Sequence, residues 1–113
     1  MENLSRRSCI PIENNTPSMT DGEIEEVKIE VPNWGIENVK GSPHLNRTFL
    51  FNNFMEALEF TNIIGKIAEE QNHHPTIELT WGRVTVEWWT HSIKGLHIND
   101  FIMAAKTNKI YED

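Results

Sequence analysis

The alternation of apolar and polar residues is clearest between residues 76 and 90. Two runs with strand-like alternation, 76–80 and 83–90, are separated by the pair Trp81-Gly82. If this pair forms a two-residue hairpin loop, the apolar side chains of both runs fall on one face and the polar side chains on the other. The expected pairs are Thr80 with Arg83, Leu79 with Val84, Glu78 with Thr85 and Ile77 with Val86. The sequence therefore predicts a β-hairpin with a self-consistent register.

The longest helical pattern covers residues 54–71. Asn53, with Glu56 three residues later, is a candidate capping box at its start. The apolar positions form two neighbouring stripes, which are Phe54, Leu58, Thr61, Ile64 and Ala68 beside Phe60, Ile63 and Ile67. Two stripes are wider than one face of a sheet requires, so we expect a second subunit to cover the surplus. The alternative is that the first helix covers it.

Shorter patterns supply the other elements. Thr20 and Glu23 form another capping box, and Pro32 prevents the helix that follows from continuing. The other expected elements are a helix over about 21–30, a strand at 34–36, a turn at 41–43, a strand over 45–51 and a helix over about 99–108. The order helix-strand-strand-helix-strand-strand-helix predicts an α+β fold, with a single four-stranded antiparallel sheet and helices packed on one face.

The length of 113 residues predicts one domain. Residues 1–17 combine charge, Asn and Pro with little apolar periodicity, so we expect them to form a disordered tail. The domain itself is expected over 18–108, followed by a short C-terminal tail at 109–113. Cys9, the only cysteine, cannot form an internal disulfide and is interpreted as an incidental thiol of the N-terminal tail.

The charge balance argues against some classes of partner. The chain has 17 acidic and 10 basic residues and a formal charge of −7, so it lacks the basic surface that nucleic acids and anionic membranes bind. No stretch approaches the ~20 apolar residues of a membrane span, and the N-terminus lacks the apolar core of a signal peptide. We therefore expect a cytoplasmic protein without a nucleic-acid or membrane partner.

Three of the five histidines are expected to meet at the base of the hairpin. Extended past the strand ends, the register sets His73 and His74 opposite Trp89 and Thr90. His91 then lies one position beyond them. Imidazole titrates near neutral pH, so three such rings in one place are suited to proton transfer. The plainer alternative is that two of them cap a helix end or fill a corner of the core.

The spacing of these residues resembles the signature of the pterin-4a-carbinolamine dehydratase family. The matching positions are Glu69, His73-His74-Pro75, Trp81, His91 and Asp100. The similarity extends from about residue 20 to about residue 106. It includes Pro-Asn-Trp at 32–34, Arg-Thr-Phe at 47–49 with Phe51 and Phe54, Asn-Asp-Phe-Ile at 99–102 and Ala-Ala-Lys at 104–106.

The resemblance implies a dehydratase that converts 4a-hydroxytetrahydrobiopterin, the pterin-4a-carbinolamine, to quinonoid dihydropterin and water in tetrahydrobiopterin recycling. It implies that His73 and His91 are acids, and that His74 binds the pterin and assists as a base. No metal or other cofactor would be needed, because histidines can carry out both proton transfers. The resemblance also implies a homodimer or homotetramer with helices at the interface.

Other residues would support this chemistry. Those expected to provide hydrogen bonds to the pterin are Asn72, Trp89, Thr90 and Ser92. Glu69, Pro75 and Asp100 complete the signature, and Asp100 either orients an imidazole or places charge at a helix N-terminus. Residue 97 is commonly a threonine that caps the last helix in the family. His97 is expected to cap less well.

Two other functions remain open. A three-histidine metal site would require His73 and His74 to point to the same side, although adjacent strand residues point to opposite faces. A second alternative is a non-catalytic dimerisation or assembly partner with the same fold. The full histidine signature favours catalysis over this alternative.

Overall fold

The computed structural model describes residues 3–112. Within them the chain forms an α+β fold with one antiparallel sheet in the strand order β1-β2-β4-β3, so the predicted fold class and element order are confirmed. The elements are α1 (Asp21–Lys28), β1 (Gly35–Val39), β2 (Ser42–Leu50), α2 (Phe54–Gln71), β3 (Thr76–Thr80), β4 (Arg83–Trp88) and α3 (Ile98–Glu112), with short 3₁₀ turns at Leu4–Arg6 and His91–Ile93.

The hairpin of β3 and β4 has the predicted register in all four pairs. Its alternation places Val84, Val86 and Trp88 in a core that α2 and α3 also contact. Gly82 in the turn has φ +69°, and a Cβ there would lie 3.1 Å from the carbonyl oxygen of Phe51. The turn therefore requires glycine both for its conformation and for this close approach.

The first hairpin differs from the expectation at its turn. Lys40 and Gly41 both have positive φ, and this two-residue turn joins Val39 directly to Ser42. The predicted turn at 41–43 is therefore wrong, since residues 42 and 43 already belong to β2. Pro43 pairs with β1 beyond the part of β2 that pairs with β4, where a missing backbone donor is tolerated.

The predicted capping residues begin both helices, but only Thr20 and Glu23 form a complete capping box, since the Glu56 carboxylate accepts from the N–H of Asn52 rather than from that of Asn53. The Thr20 side chain accepts from the N–H of Glu23, whose carboxylate accepts from the N–H of Thr20. The Asn53 side chain accepts from the N–H of Glu56, and α2 then runs over the predicted range. The first helix ends slightly earlier than predicted, at Lys28.

The two termini differ from the expected tails. Leu4 is 2% exposed within the core, and Lys106 Nζ donates to the carbonyl oxygen of Ser5 at 3.0 Å. At the other end α3 continues to Glu112, because the ring of Tyr111 packs against an aromatic cluster of Phe49, Phe51 and Phe60. Single anchoring side chains of this kind leave no periodic pattern in a sequence.

No helix within 3–112 combines the length and the apolar character that a bilayer span requires.

Candidate active site

A cavity of about 570 Å³ lies where the end of α2, the loop after β4 and the N-terminal segment meet. This volume is within the range of small-molecule binding sites. The lining residues are Cys9, Ile10, Pro11, Ile12, Gln71, Asn72, His73, His74, Trp89, Thr90, His91, Ser92 and Asn99. The structure therefore brings together the three predicted histidines and the four predicted pterin-binding neighbours. Of the supporting residues, Glu69, Pro75 and Asp100 do not line the cavity.

The end of α2 places the adjacent histidines. Asn72 adopts a left-handed conformation with φ 52°, and its N–H donates to the carbonyl oxygens of Ala68 and Glu69. The N–H of His73 also returns to Ala68, at 3.1 Å. This cap turns the chain out of the helix, and Pro75 keeps the residue before it from resuming helical geometry. The irregular corner allows both imidazoles to line one cavity, which a regular strand would prevent.

His73 is bound from behind by a buried carboxylate. Its Nε2 lies 2.6 Å from Oδ1 of Asp100, which is fully buried. The other oxygen, Oδ2, accepts from the hydroxyl of Thr90 at 2.8 Å and from the N–H of His97 at 2.9 Å. Because a carboxylate accepts, Nε2 carries the hydrogen, and Nδ1 is the nitrogen of His73 available for proton exchange. Asp100 lies in the first turn of α3, so it performs both of the roles considered for it.

His74 has a carboxylate partner of its own. Its Nε2 lies 2.6 Å from Oε1 of Glu69, on the last turn of α2. Both side chains are more than half exposed, so solvent screens this pair far more than it screens His73 and Asp100. The contact still fixes the hydrogen of His74 on Nε2 and leaves Nδ1 free.

His91 begins the 3₁₀ turn that follows Thr90. Among residues 3–112 its ring has no side-chain hydrogen-bond partner, so it can rotate toward a ligand. The turn is held at its base by pairing of Thr90 with Gly95, whose absent side chain allows Ser18 to approach. A Cβ on Gly95 would lie 2.7 Å from that of Ser18, so the loop carrying His91 depends on glycine here.

The hydroxyl of Thr90 donates to Asp100 and its N–H donates to Gly95. Thr90 therefore has no donor left for a ligand, and its expected hydrogen bonds are restricted to those that its hydroxyl and carbonyl oxygens can accept. Ser92 is exposed at the cavity and keeps its hydroxyl for a ligand.

His97 caps α3 in spite of the expectation that it would cap less well. Nδ1 of His97 accepts from the N–H of Asn99 at 3.0 Å, while the Asp100 carboxylate accepts from the N–H of His97. The ring nitrogen thus takes the place of a threonine oxygen in a capping box. Burial lowers the pKa of His97, against an opposing effect of Asp100, and this favours the neutral ring that can accept.

Sequence reasoning missed several residues near the cavity. His44 stacks on Trp89 with ring centroids 4.1 Å apart and hydrogen-bonds to Glu87, so it supports the indole from the other side. The N-terminal residues at the cavity were not identified because they belong to no periodic element. Asn99 falls within the stretch that resembles the family, and that stretch was its only signal.

The alternative of a metal centre requires at least three suitably placed ligand side chains. Within the described residues 3–112, no three His, Cys, Asp or Glu side chains are placed to hold a metal ion. The absence of a metal from the mechanism stays a prediction.

Comparisons with known proteins place this geometry in context. A family model described as "Pterin 4 alpha carbinolamine dehydratase" matches residues 17–110. A protein of Syntrophotalea carbinolica is 50% identical over 112 residues, which are 99% of this chain and 100% of that protein. A protein of Saccharophagus degradans is 48% identical over 112 residues, or 99% of each chain. Both bear the provisional name pterin-4-alpha-carbinolamine dehydratase.

A solved structure is also similar. The crystal structure of a "transcriptional coactivator/pterin dehydratase" from Brucella melitensis superposes with a TM-score of 0.74 at 32% identity. The match covers 82% of this chain and 97% of that chain. The fold is therefore shared with this protein over most of both chains.

Proposed function

Since the chain belongs to the pterin 4 alpha carbinolamine dehydratase family, as its sequence pattern suggested, we propose that it dehydrates 4a-hydroxytetrahydrobiopterin to quinonoid dihydropterin in tetrahydrobiopterin recycling. The observation that carries this proposal is a single cavity lined by three imidazoles, two of which hydrogen-bond to carboxylates. These contacts leave one nitrogen of each paired ring for proton transfer.

The reaction needs one proton delivered and one removed. An acid protonates the 4a-hydroxyl, the C4a–O bond breaks and water leaves. A base takes the proton from N5, and the electron pair of the N5–H bond forms the C4a=N5 double bond. No electrons are gained or lost overall, so the chemistry requires only groups that exchange protons near neutral pH.

We assign the base to His74 and the acids to His73 and His91. The Glu69 carboxylate can stabilise the positive charge that His74 acquires when it accepts the N5 proton. His91 stands on an exposed turn and, among residues 3–112, its ring is paired with no carboxylate, so it can approach a leaving hydroxyl. His73 is the most rigid of the three, because Asp100 fixes its ring in a buried position.

The remaining cavity surface suits a flat heterocycle with polar edges. The indole of Trp89 offers a planar face that His44 already stacks against on one side. Asn72 and Ser92 provide donors and acceptors of the kind that fix the orientation of a ring with amide-like edges.

The direct test is turnover of enzymatically generated 4a-hydroxytetrahydrobiopterin by the purified chain. The dehydration also proceeds without a catalyst, so its rate must be measured in parallel and subtracted. We expect the chain to accelerate the reaction in proportion to protein concentration, in the presence of a chelator. A rate equal to the uncatalysed one would refute the proposed function.

We further propose that the chain self-associates through α2. Phe54, Met55 and Ile63 of this helix remain 42%, 59% and 45% exposed, so within residues 3–112 these apolar side chains are only partly covered. Exposed apolar groups on one helix favour an interface between copies of a chain. The coactivator role in the description of the Brucella protein is compatible with an assembly surface of this kind, but it belongs to that protein.

Ile63→Asp should shift the sedimentation distribution at micromolar concentration toward the monomer, because burying an unpaired charge is costly. Ile67 is a poorer test because it packs against the core of its own subunit. Ile29→Asp is the matched control, since Ile29 is 77% exposed after the end of α1. A wild type that is monomeric at all concentrations, or an equal shift in both variants, would count against the interface.

A further inference from the structure

The N-terminal segment forms part of the candidate active site. Residues 9–12, which we call the strap, contribute four consecutive positions to the cavity wall. They precede residue 17, where the match to the family model begins. This part of the wall therefore lies outside the residues that the family model matches.

Two side-chain amides hold the strap. The N–H of Cys9 donates to Oε1 of Gln71 at 2.8 Å. Ile10 is held through both of its backbone groups, since its N–H donates to Oδ1 of Asn99 at 3.0 Å and its carbonyl oxygen accepts from Nδ2 at 2.7 Å. Asn99 thus binds Ile10 as a neighbouring strand would, although no strand is present there.

The two amides belong to the elements that carry the catalytic groups. Gln71 is the last residue of α2, two positions before His73, and Asn99 directly precedes Asp100. The strap is consequently fixed to the same two helix ends as the His73 and Asp100 pair. The same helix ends therefore fix the positions of the strap and of the acid and base groups. A ligand bound between the strap and the histidines would be held in a defined position relative to those groups.

Contacts nearer the N-terminus also hold the strap against the rest of the protein. Leu4 is buried in the core, and Lys106 donates to the carbonyl oxygen of Ser5. Cys9 is half-buried, and burial raises the pKa of its thiol to about 11, so it stays neutral at physiological pH. The thiol thus behaves as a small apolar side chain in this position.

The strap differs chemically from the rest of the wall. Ile10, Pro11 and Ile12 are apolar, whereas the facing set of His, Asn, Thr and Ser provides polar atoms. Ile10 is 51% exposed, which is a large exposure for an isoleucine whose backbone is held so firmly. Such exposed apolar groups beside a polar cavity are suited to cover the apolar part of a ligand.

We propose that the strap is a substrate-binding wall, in which Ile10 and Ile12 contact the bound pterin and lower its KM without taking part in proton transfer. This inference rests on the proposed function, because it assigns the contact to the same substrate. It adds a specificity-determining segment that lies outside the histidine signature.

The test is the double variant Ile10→Ser/Ile12→Ser, which leaves the backbone hydrogen bonds of the strap available. Loss of apolar contacts in a binding pocket is expected to raise KM for the carbinolamine by ~10- to 100-fold. The turnover number should stay near that of the wild type, since contacts made equally in the ground and transition states affect KM alone. The matched control is Ile29→Ser, an exposed isoleucine remote from the cavity, which should change neither constant.

Binding of a stable dihydropterin, measured by titration calorimetry, gives a second readout that does not require turnover. The double variant should bind it more weakly by a similar factor, with an unchanged melting temperature. Wild-type values of KM and Kd in the double variant would overturn the strap proposal and leave the proposed function intact. A fall in turnover number with unchanged KM would also overturn it. A wild type without turnover would refute the proposed function, and the role of the strap with it.

Discussion

Replacing His74 or His91 with alanine is expected to lower the catalysed dehydration of the carbinolamine by ~100- to 10,000-fold, the range that positioned acid and base groups contribute. Both side chains line the cavity and both residues are exposed, so their removal leaves no buried polar group unpaired. The melting temperatures of the two variants should therefore stay close to that of the wild type. His73 is a less clear test, because its loss would leave Oδ1 of the buried Asp100 without its donor.

The control for this experiment is Glu25→Ala. Glu25 is an exposed side chain of α1 and does not line the cavity that contains the catalytic candidates, so its loss should leave turnover near the wild-type value. Near-normal activity in both His74→Ala and His91→Ala would contradict the proposed acid and base assignments. Activity that disappears with a chelator and returns with a divalent ion would instead favour a metal mechanism.

Asp100→Ala is expected to reduce the free energy of unfolding by about 3 kcal/mol or more, because each buried donor left without an acceptor costs about 1–3 kcal/mol. The carboxylate accepts from His73, from the hydroxyl of Thr90 and from the N–H of His97, and it is fully buried. Alanine leaves all three donors without an acceptor, and each such loss is costly in a buried site. Urea denaturation measures the change.

Asp100→Asn separates the catalytic part of this role from the structural part. The amide oxygen can still accept from Thr90 or His97, but the amide NH₂ would face Nε2 of His73 and favour the opposite tautomer of the ring. We therefore expect a smaller loss of stability than for alanine and a fall in turnover of at least about 100-fold. Asp21→Asn is the control, because Asp21 is an exposed carboxylate in the first turn of α1. An Asp100→Asn variant with full activity would show that the carboxylate does not set the state of His73.

Much of the fold could be predicted because local signals and periodicity agree. The register of the second hairpin follows from alternation on both sides of Trp81-Gly82. The start of α2 follows from the N-cap Asn53, whose side chain accepts from the N–H of Glu56. These features depend on residues close together in the chain, which a sequence shows directly.

The features that sequence reasoning missed depend on contacts between distant residues. The strap is fixed by hydrogen bonds from Cys9 to Gln71 and from Ile10 to Asn99, which lie 62 and 89 positions further along the chain. Nothing in the composition of the strap indicates these contacts. The end of α3 depends on the packing of its Tyr111 against aromatic residues from elsewhere in the chain. The capping by His97 depends on the ring nitrogen that faces the helix, which composition does not reveal.

The candidate site falls between these two cases. The register of the hairpin and the corner at Pro75 could place the three histidines near one another. The partners of the rings could not be derived from spacing alone, and the two considered roles of Asp100 could be separated only when both of its oxygens were placed.

The two imidazole–carboxylate pairs form through contacts of different range, one local and one between distant parts of the chain. His74 and Glu69 are five residues apart, so their contact can form wherever the last turn of α2 forms. His73 and Asp100 are 27 residues apart, and their contact exists only when α3 is docked beside the sheet. A chain that opens around α3 while keeping α2 would retain the first pair and lose the second. The ring resonances of these neighbouring histidines would then report separately on a local helix end and on the cooperative folding of the whole domain.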